Sequence, residues 1–282
     1  MSIRIIADSA SDISQQEALK YNIEILPLKI LFGSREYLDG IDLGHREFFE
    51  KLVETDVLPT TSQITVYEYE QVFQKAQDAG DEVLCITVSS KLSGTCQSAC
   101  IATESYGERV AVVDSESVCV GERILILRAV ELRSQGLSRA DIVAVLEKEK
   151  KDIRLIALLD TLEYMKKGGR ISPTVAFAGG ILSIKPVIAT RDGEVVLLGK
   201  ARGSKNGNNL LIELVQKEGG INFEKPFCLA YSGLSDALLK KYIADSEQLY
   251  KGKTEQLPIS TIGSAIGVHA GPGVVAVAFF KL

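Results

Sequence analysis

The sequence contains little that metal or nucleic-acid binding would need. It has two histidines in 282 residues, no tryptophan, and five cysteines without a zinc-binding spacing. Lys and Arg total 32 while Asp and Glu total 37, so a net charge of −5 provides no basic field to attract nucleic acid. We therefore predict no metal site and no nucleic-acid partner, and a DNA-binding regulator is the weakest of three functional hypotheses.

Targeting and membrane-spanning patterns are also missing. Residues 2–13 lack the basic start and apolar core of a signal peptide. The longest apolar stretch, at 171–190, is interrupted by two prolines, two adjacent glycines and Lys185, which argues against a transmembrane helix. We predict a cytoplasmic protein with buried, reduced cysteines.

The order of the apolar runs predicts the fold class. Runs rich in β-branched residues at 3–7, 83–88 and 109–113 alternate with helical patterns, which indicates a parallel sheet with helices on its faces. After residue 153 the pattern changes to strands in hairpins, with Arg191-Asp192-Gly193 as a clear turn. We predict an α/β protein with an N-terminal parallel-sheet domain at 1–151 and a C-terminal mixed-sheet α/β domain at 152–282.

Polar residues follow three of the predicted parallel strands, at Asp8-Ser9, Ser89-Ser90 and Asp114-Ser115. Parallel strands place their carboxyl ends at one edge of a sheet, where open α/β sheets bind ligands. The aspartates could equally cap helices. A small-molecule phosphotransferase or hydrolase using Asp8 and Asp114 is therefore an alternative function, although no hydrolase triad or phosphate-binding loop motif is present.

Two hydroxyl-bearing turns predict an anion site. Ser93-Gly94 lies between an apolar strand and a predicted helix at 96–103, and Thr61-Ser62 lies after Pro59 and just before a second predicted helix. Hydroxyls and unpaired N–H groups at two helix N-termini would donate charge-assisted hydrogen bonds to a small anion such as a carboxylate. Ordinary helix caps are the alternative.

Three further features have both a structural and a functional interpretation. His269 lies in a glycine-rich stretch at 262–273, which predicts a loop that approaches a ligand closely. The apolar stretch at 171–188 could line a tunnel or simply be core. Two basic clusters predict either a solvated face or a patch for an acidic partner, with Arg170 alternatively turned inward beneath the anion site. These clusters are Lys166, Lys167 and Arg170, and Lys200, Arg202 and Lys205.

Several of these motifs occur together in the order found in a known family. The chain contains Asp8-Ser9 with Asp12, Thr60-Thr61-Ser62-Gln63, Ser89-Ser90-Lys91-Leu92-Ser93-Gly94-Thr95, Val113-Asp114-Ser115, Lys166-Lys167-Gly168-Gly169-Arg170-Ile171-Ser172 and His269-Ala270-Gly271-Pro272-Gly273. Together they resemble the DegV family, also called FakB-type fatty-acid-binding proteins, over nearly the whole chain. The Lys-Lys-Gly-Gly-Arg-Ile-Ser and His-x-Gly-Pro-Gly segments are the most specific.

The resemblance implies a lipid-binding protein that holds one long-chain fatty acid between two α/β domains, with no cofactor and no catalytic residue. By resemblance, the hydroxyls of Thr61 and Ser93 and the backbone of Gly94 hold the carboxylate. The polar network around it would include Ser62, Arg170 and His269. Each buried methylene contributes about 0.8 kcal/mol, so an apolar tunnel would supply most of the affinity.

The resemblance also implies a partner. Family members with known roles present the acyl chain to a separate ATP-dependent fatty-acid kinase subunit, which forms an acyl phosphate. Positions such as Lys200 and Arg202 would then face that subunit, or a membrane during transient contact.

Overall fold

The computed structural model describes residues 2–172, 184–250 and 254–282, and these form a mixed α/β fold. The strands of these residues are β1 Ile3–Asp8, β2 Ile23–Leu26, β3 Lys29–Phe32, β4 Arg35–Leu38, β5 Thr60–Ser62, β6 Glu82–Thr87, β7 Val110–Asp114, β8 Ile153–Leu158, β9 Ile184–Arg191, β10 Glu194–Arg202, β11 Cys228–Tyr231, β12 Ile259–Thr261 and β13 Val275–Phe280. The α-helices of the same residues are α1 Gln15–Tyr21, α2 His45–Glu54, α3 Val66–Asp78, α4 Thr95–Ala102, α5 Val120–Ser134, α6 Arg139–Glu149, α7 Glu163–Lys167, α8 Gly203–Lys217, α9 Ala237–Asp245 and α10 Ser264–Ala270.

The first half of the chain contains the predicted parallel sheet, with strand order β2-β1-β6-β7. Successive residues of a strand point to opposite faces, and the neighbouring residues Ile5 and Ile6 accordingly belong to two different hydrophobic clusters. Both residues are fully buried because helices cover both faces of the sheet. The prediction of a parallel sheet is confirmed.

The second half contains a mixed sheet with strand order β10-β9-β8-β13-β11-β12. Its β9–β10 hairpin turns at Asp192 and Gly193, whose φ angles of 50° and 82° match the turn that the sequence predicts. One hydrophobic cluster continues from the parallel sheet, at Ile5, to the mixed sheet, at Leu155 and Ala276. The predicted sheet types are confirmed, and the domain boundary at residue 151 stays a prediction.

Residues 60–62 differ from the sequence prediction. They form strand β5 in a small antiparallel sheet of order β4-β3-β5, and α3 begins only at Val66. The α3 N-terminus is capped by Thr65, whose hydroxyl accepts from the Glu68 N–H while the Glu68 carboxylate accepts from the Thr65 N–H. The prediction that Thr61 and Ser62 face a helix N-terminus is therefore wrong.

Two helices were not predicted. Helix α8 buries Leu211, Leu214 and Val215, an amphipathic spacing within a stretch that also contains glycine and asparagine. Helix α10 lies within the glycine-rich stretch for which the sequence predicts a loop, and it carries His269. Packing of α10 on the Phe48 and Phe49 rings leaves no room for a side chain at Gly267, so this glycine reflects close packing and not a loop.

The polar residues that follow β1, β6 and β7 lie at one edge of the parallel sheet, as predicted. The Asp8 carboxylate accepts from the N–H groups of Ala10 at 3.0 Å and Val88 at 2.8 Å, and so joins the ends of β1 and β6. Asp114 accepts from the Ser90 N–H, at 3.3 Å. These bonds hold the turn that contains Ser93 in place above the sheet edge.

Candidate functional site

A cavity of about 280 Å³ lies at this edge of the sheet, between the two halves of the chain. The segments after β1, β6 and β7 contribute to one wall, and Met165, Val195 and residues of α10 contribute to the other. The six residues that the sequence predicts as ligand-binding all line it: Thr61, Ser62, Ser93, Gly94, Arg170 and His269. The structure therefore brings together groups that are up to 208 residues apart in sequence.

One side of the polar end is formed by Thr61 and His269. The Thr61 hydroxyl oxygen lies 3.0 Å from His269 Nε2. Burial, together with the nearby positive charge of Arg170, lowers the pKa of His269 from 6.5 to about 4, so the ring is neutral at physiological pH. Its Nδ1 has no hydrogen-bond partner among the described residues and faces the backbone of Gly168.

The opposite side is formed by the turn before α4. The Ser93 hydroxyl oxygen accepts from the Thr95 N–H at 3.2 Å and is 2.9 Å from the Thr95 hydroxyl. Within the described part of the chain, the N–H of Gly94 has no acceptor. This N–H lies at the positive end of the α4 dipole, where an anion is stabilised.

Arg170 is half-buried beside the polar end. Its guanidinium donates to the carbonyl oxygens of Leu92 at 3.2 Å and Gly168 at 2.7 Å. The side chain therefore turns inward, which was one of the two interpretations of this residue, and ties the end of α7 to the Ser93 turn. Its charge makes the potential in the cavity more favourable for an anion.

The rest of the cavity is apolar. Its lining includes Leu28, Val88, Val118, Met165, Val195 and Ile266. A second space of about 50 Å³ shares Val118, Met165, Val195, Ile266 and Ala270 with it, and continues between Leu155, Ala157, Ile188 and Ala276. The site thus combines polar groups with an apolar lining that also borders this second, smaller space, the apolar extension.

The sequence prediction of a tunnel wall at 171–188 is tested only at its ends. Ile171 is buried in the core, and Ile188 lines the apolar extension. Residues 173–183 lie outside the described residues. The other apolar lining residues were not predicted, because on sequence alone they resemble any core residue.

Gln63 also lines the polar part of the cavity, although the sequence alone assigns it no role. It follows Thr61 and Ser62, and its side-chain amide contacts the start of α4. Its place in the Thr60-Thr61-Ser62-Gln63 motif was the available signal.

The remaining candidate residues lie outside the cavity lining. Asp8 is fully buried, and the Asp8 and Asp114 carboxylates accept backbone N–H groups at strand ends, as structural caps do. Lys200 and Arg202 are exposed at the end of β10. Within the described ranges, no three His, Cys, Asp or Glu side chains could share a metal ion, and no helix is long and apolar enough to cross a membrane.

A family model described as "Uncharacterised protein, DegV family" matches residues 2–282. The chain belongs to the DegV family. A DegV domain-containing protein of Caldanaerobacter subterraneus subsp. tengcongensis is 34% identical over 280 residues, which cover 98% of this chain and 98% of that protein.

Solved structures described as fatty-acid-binding proteins share the fold over 97% or more of both chains. A DegV family protein from Thermus thermophilus, described for its fatty acid binding, has 31% identity and a TM-score of 0.89 over 100% of both chains. A stearic acid-binding protein from Eubacterium ventriosum has 27% identity and a TM-score of 0.87 over 99% of this chain and 97% of that one. DegV from Bacillus subtilis, a fatty acid binding protein, has 28% identity and a TM-score of 0.84 over 100% of both chains.

Proposed function

We propose that this DegV protein binds one long-chain fatty acid in the cavity, without transforming it. The carboxylate would accept hydrogen bonds from the hydroxyls of Thr61 and Ser93 and from the N–H of Gly94. The observation that carries the proposal is a cavity that combines hydroxyl and N–H donors with an apolar lining and borders a second, smaller apolar space. The relatives described as fatty-acid-binding proteins support the same conclusion.

The physical requirements of such a ligand agree with the site. A buried carboxylate is stable only when fully hydrogen-bonded, and charge-assisted bonds from hydroxyl and backbone donors meet that need. The neutral His269 ring can donate from Nε2 to Thr61, which frees the Thr61 proton for the carboxylate. Ser62 and Arg170 would complete the polar network, while each buried methylene adds about 0.8 kcal/mol.

The test is lipid content and affinity. Purified protein should yield a fatty acid on organic extraction, identified by mass spectrometry. Since a hydrogen bond to a charged group contributes about 1.5–3 kcal/mol, Thr61→Ala with Ser93→Ala should weaken fatty-acid binding by roughly a hundredfold or more. Thr60→Ala with Ser90→Ala is the matched control, because both residues are exposed neighbours outside the cavity lining. Equal binding by both double variants would refute the proposal.

We further propose that the protein presents the acyl chain to a separate ATP-dependent fatty-acid kinase subunit for acyl-phosphate formation, as the family resemblance implies. Lys200 and Arg202 would face that subunit or make transient contact with a membrane. Replacing both with Glu should weaken the kinase interaction and leave fatty-acid affinity unchanged, since both are exposed and outside the cavity lining. A full kinase reaction with the double variant would contradict this placement.

A further inference from the structure

Gln63 lies beside the polar end of the cavity and contacts the first turn of α4. Its Nε2 donates to the Ser98 hydroxyl oxygen at 2.9 Å and lies 3.4 Å from the Gly94 carbonyl oxygen. Gln63 belongs to the segment that carries Thr61, and Gly94 belongs to the turn that carries Ser93. One amide group therefore joins the two segments that supply the proposed carboxylate donors.

The glycine at position 94 fits this contact closely. Its φ of −71° and ψ of −1° are ordinary helical values that any residue adopts. A Cβ placed there, however, would lie 2.7 Å from Gln63 Cδ and collide with Gln63 Oε1. The missing side chain at Gly94 thus makes room for the Gln63 amide and is not required by the backbone conformation.

We propose that Gln63 is a positioning residue, which sets the distance between the Thr61 hydroxyl and the Ser93-Gly94 turn and so the strength with which the site holds a carboxylate. The inference rests on the proposed fatty-acid binding. The Gln63 Nε2 lies near two acceptors in α4 and its N-cap, and its Oε1 cannot donate to a carboxylate, so the residue acts through its neighbours and not by binding the ligand.

The test compares two ligands with the same tail. Lipid-free wild type and Gln63→Ala are titrated with hexadecanoic acid and with hexadecan-1-ol, which has no charged headgroup. We expect the affinity for the acid to fall roughly tenfold in the variant and the affinity for the alcohol to change by less than about twofold. Gln63→Asn, whose amide is one methylene too short to reach Ser98, should show the same selective loss if the alanine variant folds poorly.

Other outcomes overturn the assignment. Unchanged affinity for the acid would mean that Gln63 does not position the turn, and a parallel loss for acid and alcohol would mean that it only shapes the cavity. Both results presuppose that the wild type binds the acid. A wild type that binds neither ligand would instead refute the proposed function.

A double-mutant cycle provides an independent readout. Gly94→Ala should lower the affinity for hexadecanoic acid in the wild-type background, because the new Cβ displaces the Gln63 amide. In the Gln63→Ala background, Gly94→Ala should lower the affinity by a several-fold smaller factor, since the collision with the Gln63 amide is gone. Strictly additive effects of the two substitutions would contradict the role of Gln63.

Discussion

His269 is the residue whose charge state most affects the polar end of the cavity. Its low pKa, about 4, results from burial and from the charge of Arg170. A neutral ring carries one N–H, and only an Nε2–H donates to the Thr61 oxygen at 3.0 Å. We expect this tautomer when a carboxylate accepts the Thr61 proton, because Nδ1 faces Gly168 and has no acceptor among the described residues.

The shifted pKa of His269 predicts a pH-dependent stability of lipid-free protein. Between pH 6.5 and about 4 the unfolded chain binds a proton at this residue that the folded protein does not. The contribution to the free energy of unfolding is therefore complete above pH 6.5 and falls as the pH decreases towards 4, by up to about 3 kcal/mol.

His269→Gln should remove this component. Urea unfolding of both proteins at several pH values gives the difference in unfolding free energy, in which the contributions of other titrating groups cancel. We expect the wild type to lose stability relative to the variant as the pH falls. A difference that is independent of pH between 4 and 7 would show that His269 has the same pKa in the folded and the unfolded protein, and would contradict the shift.

At the scale of single elements, the sequence predicts those parts of the site that depend on local signals. The β6 strand and the Ser93-Gly94 turn follow from an apolar β-branched run that ends in serine and glycine. Strand β5 could not be predicted, because its three residues are extended only through pairing with β3. Helix α10 was missed for a similar reason, since its glycine-rich sequence is helical where it packs on Phe48 and Phe49.

The contact between α7 and α10 predicts the effect of a substitution at Gly168. This residue has a φ of −76°, which any residue adopts, but a Cβ would lie 3.0 Å from His269 Cε1 and collide with Nδ1. Gly168→Ala should therefore push the ring away from Thr61 and weaken fatty-acid binding. The energy of this displacement is about 1–3 kcal/mol, as for other overpacked sites.

A cycle with His269→Ala separates this effect from a general distortion of α7. In the His269→Ala background the ring is absent, so Gly168→Ala should add little further loss of affinity. Isothermal titration of the four proteins with a fatty acid gives the coupling energy. A Gly168→Ala loss that is the same in both backgrounds would place its cause outside the His269 contact.

At the scale of the whole molecule, residues of the first half hold the N-terminus of α10. The Asp12 carboxylate accepts from the Gly263 N–H at 2.7 Å, and the Asp39 carboxylate accepts from the Ser264 N–H at 3.0 Å. No sequence pattern indicates these bonds, because their partners are more than 220 residues apart. The two sheets and the polar residues at the edge of the parallel sheet were predictable from local patterns, and the contacts that fix α10 were not.

His45 makes a further contact between the two halves of the chain near α10, and its substitution tests how much stability these contacts contribute. Its Nδ1 lies 2.8 Å from the Ile262 carbonyl oxygen and its Nε2 lies 2.9 Å from the Gly233 carbonyl oxygen. The ring nitrogen that carries the proton donates to one of these carbonyls, so His45→Ala removes that hydrogen bond and should lower the free energy of unfolding by about 1–3 kcal/mol. It should also weaken fatty-acid binding, because α10 carries His269 into the cavity. Arg46→Ala is the control, since Arg46 forms an ion pair with exposed Glu50 on the surface of α2, and such surface pairs contribute little to stability. Urea unfolding and ligand titration should therefore give a lower unfolding free energy and a lower fatty-acid affinity for His45→Ala than for Arg46→Ala. Equal stability of the two variants would mean that the contacts between the halves do not depend on His45.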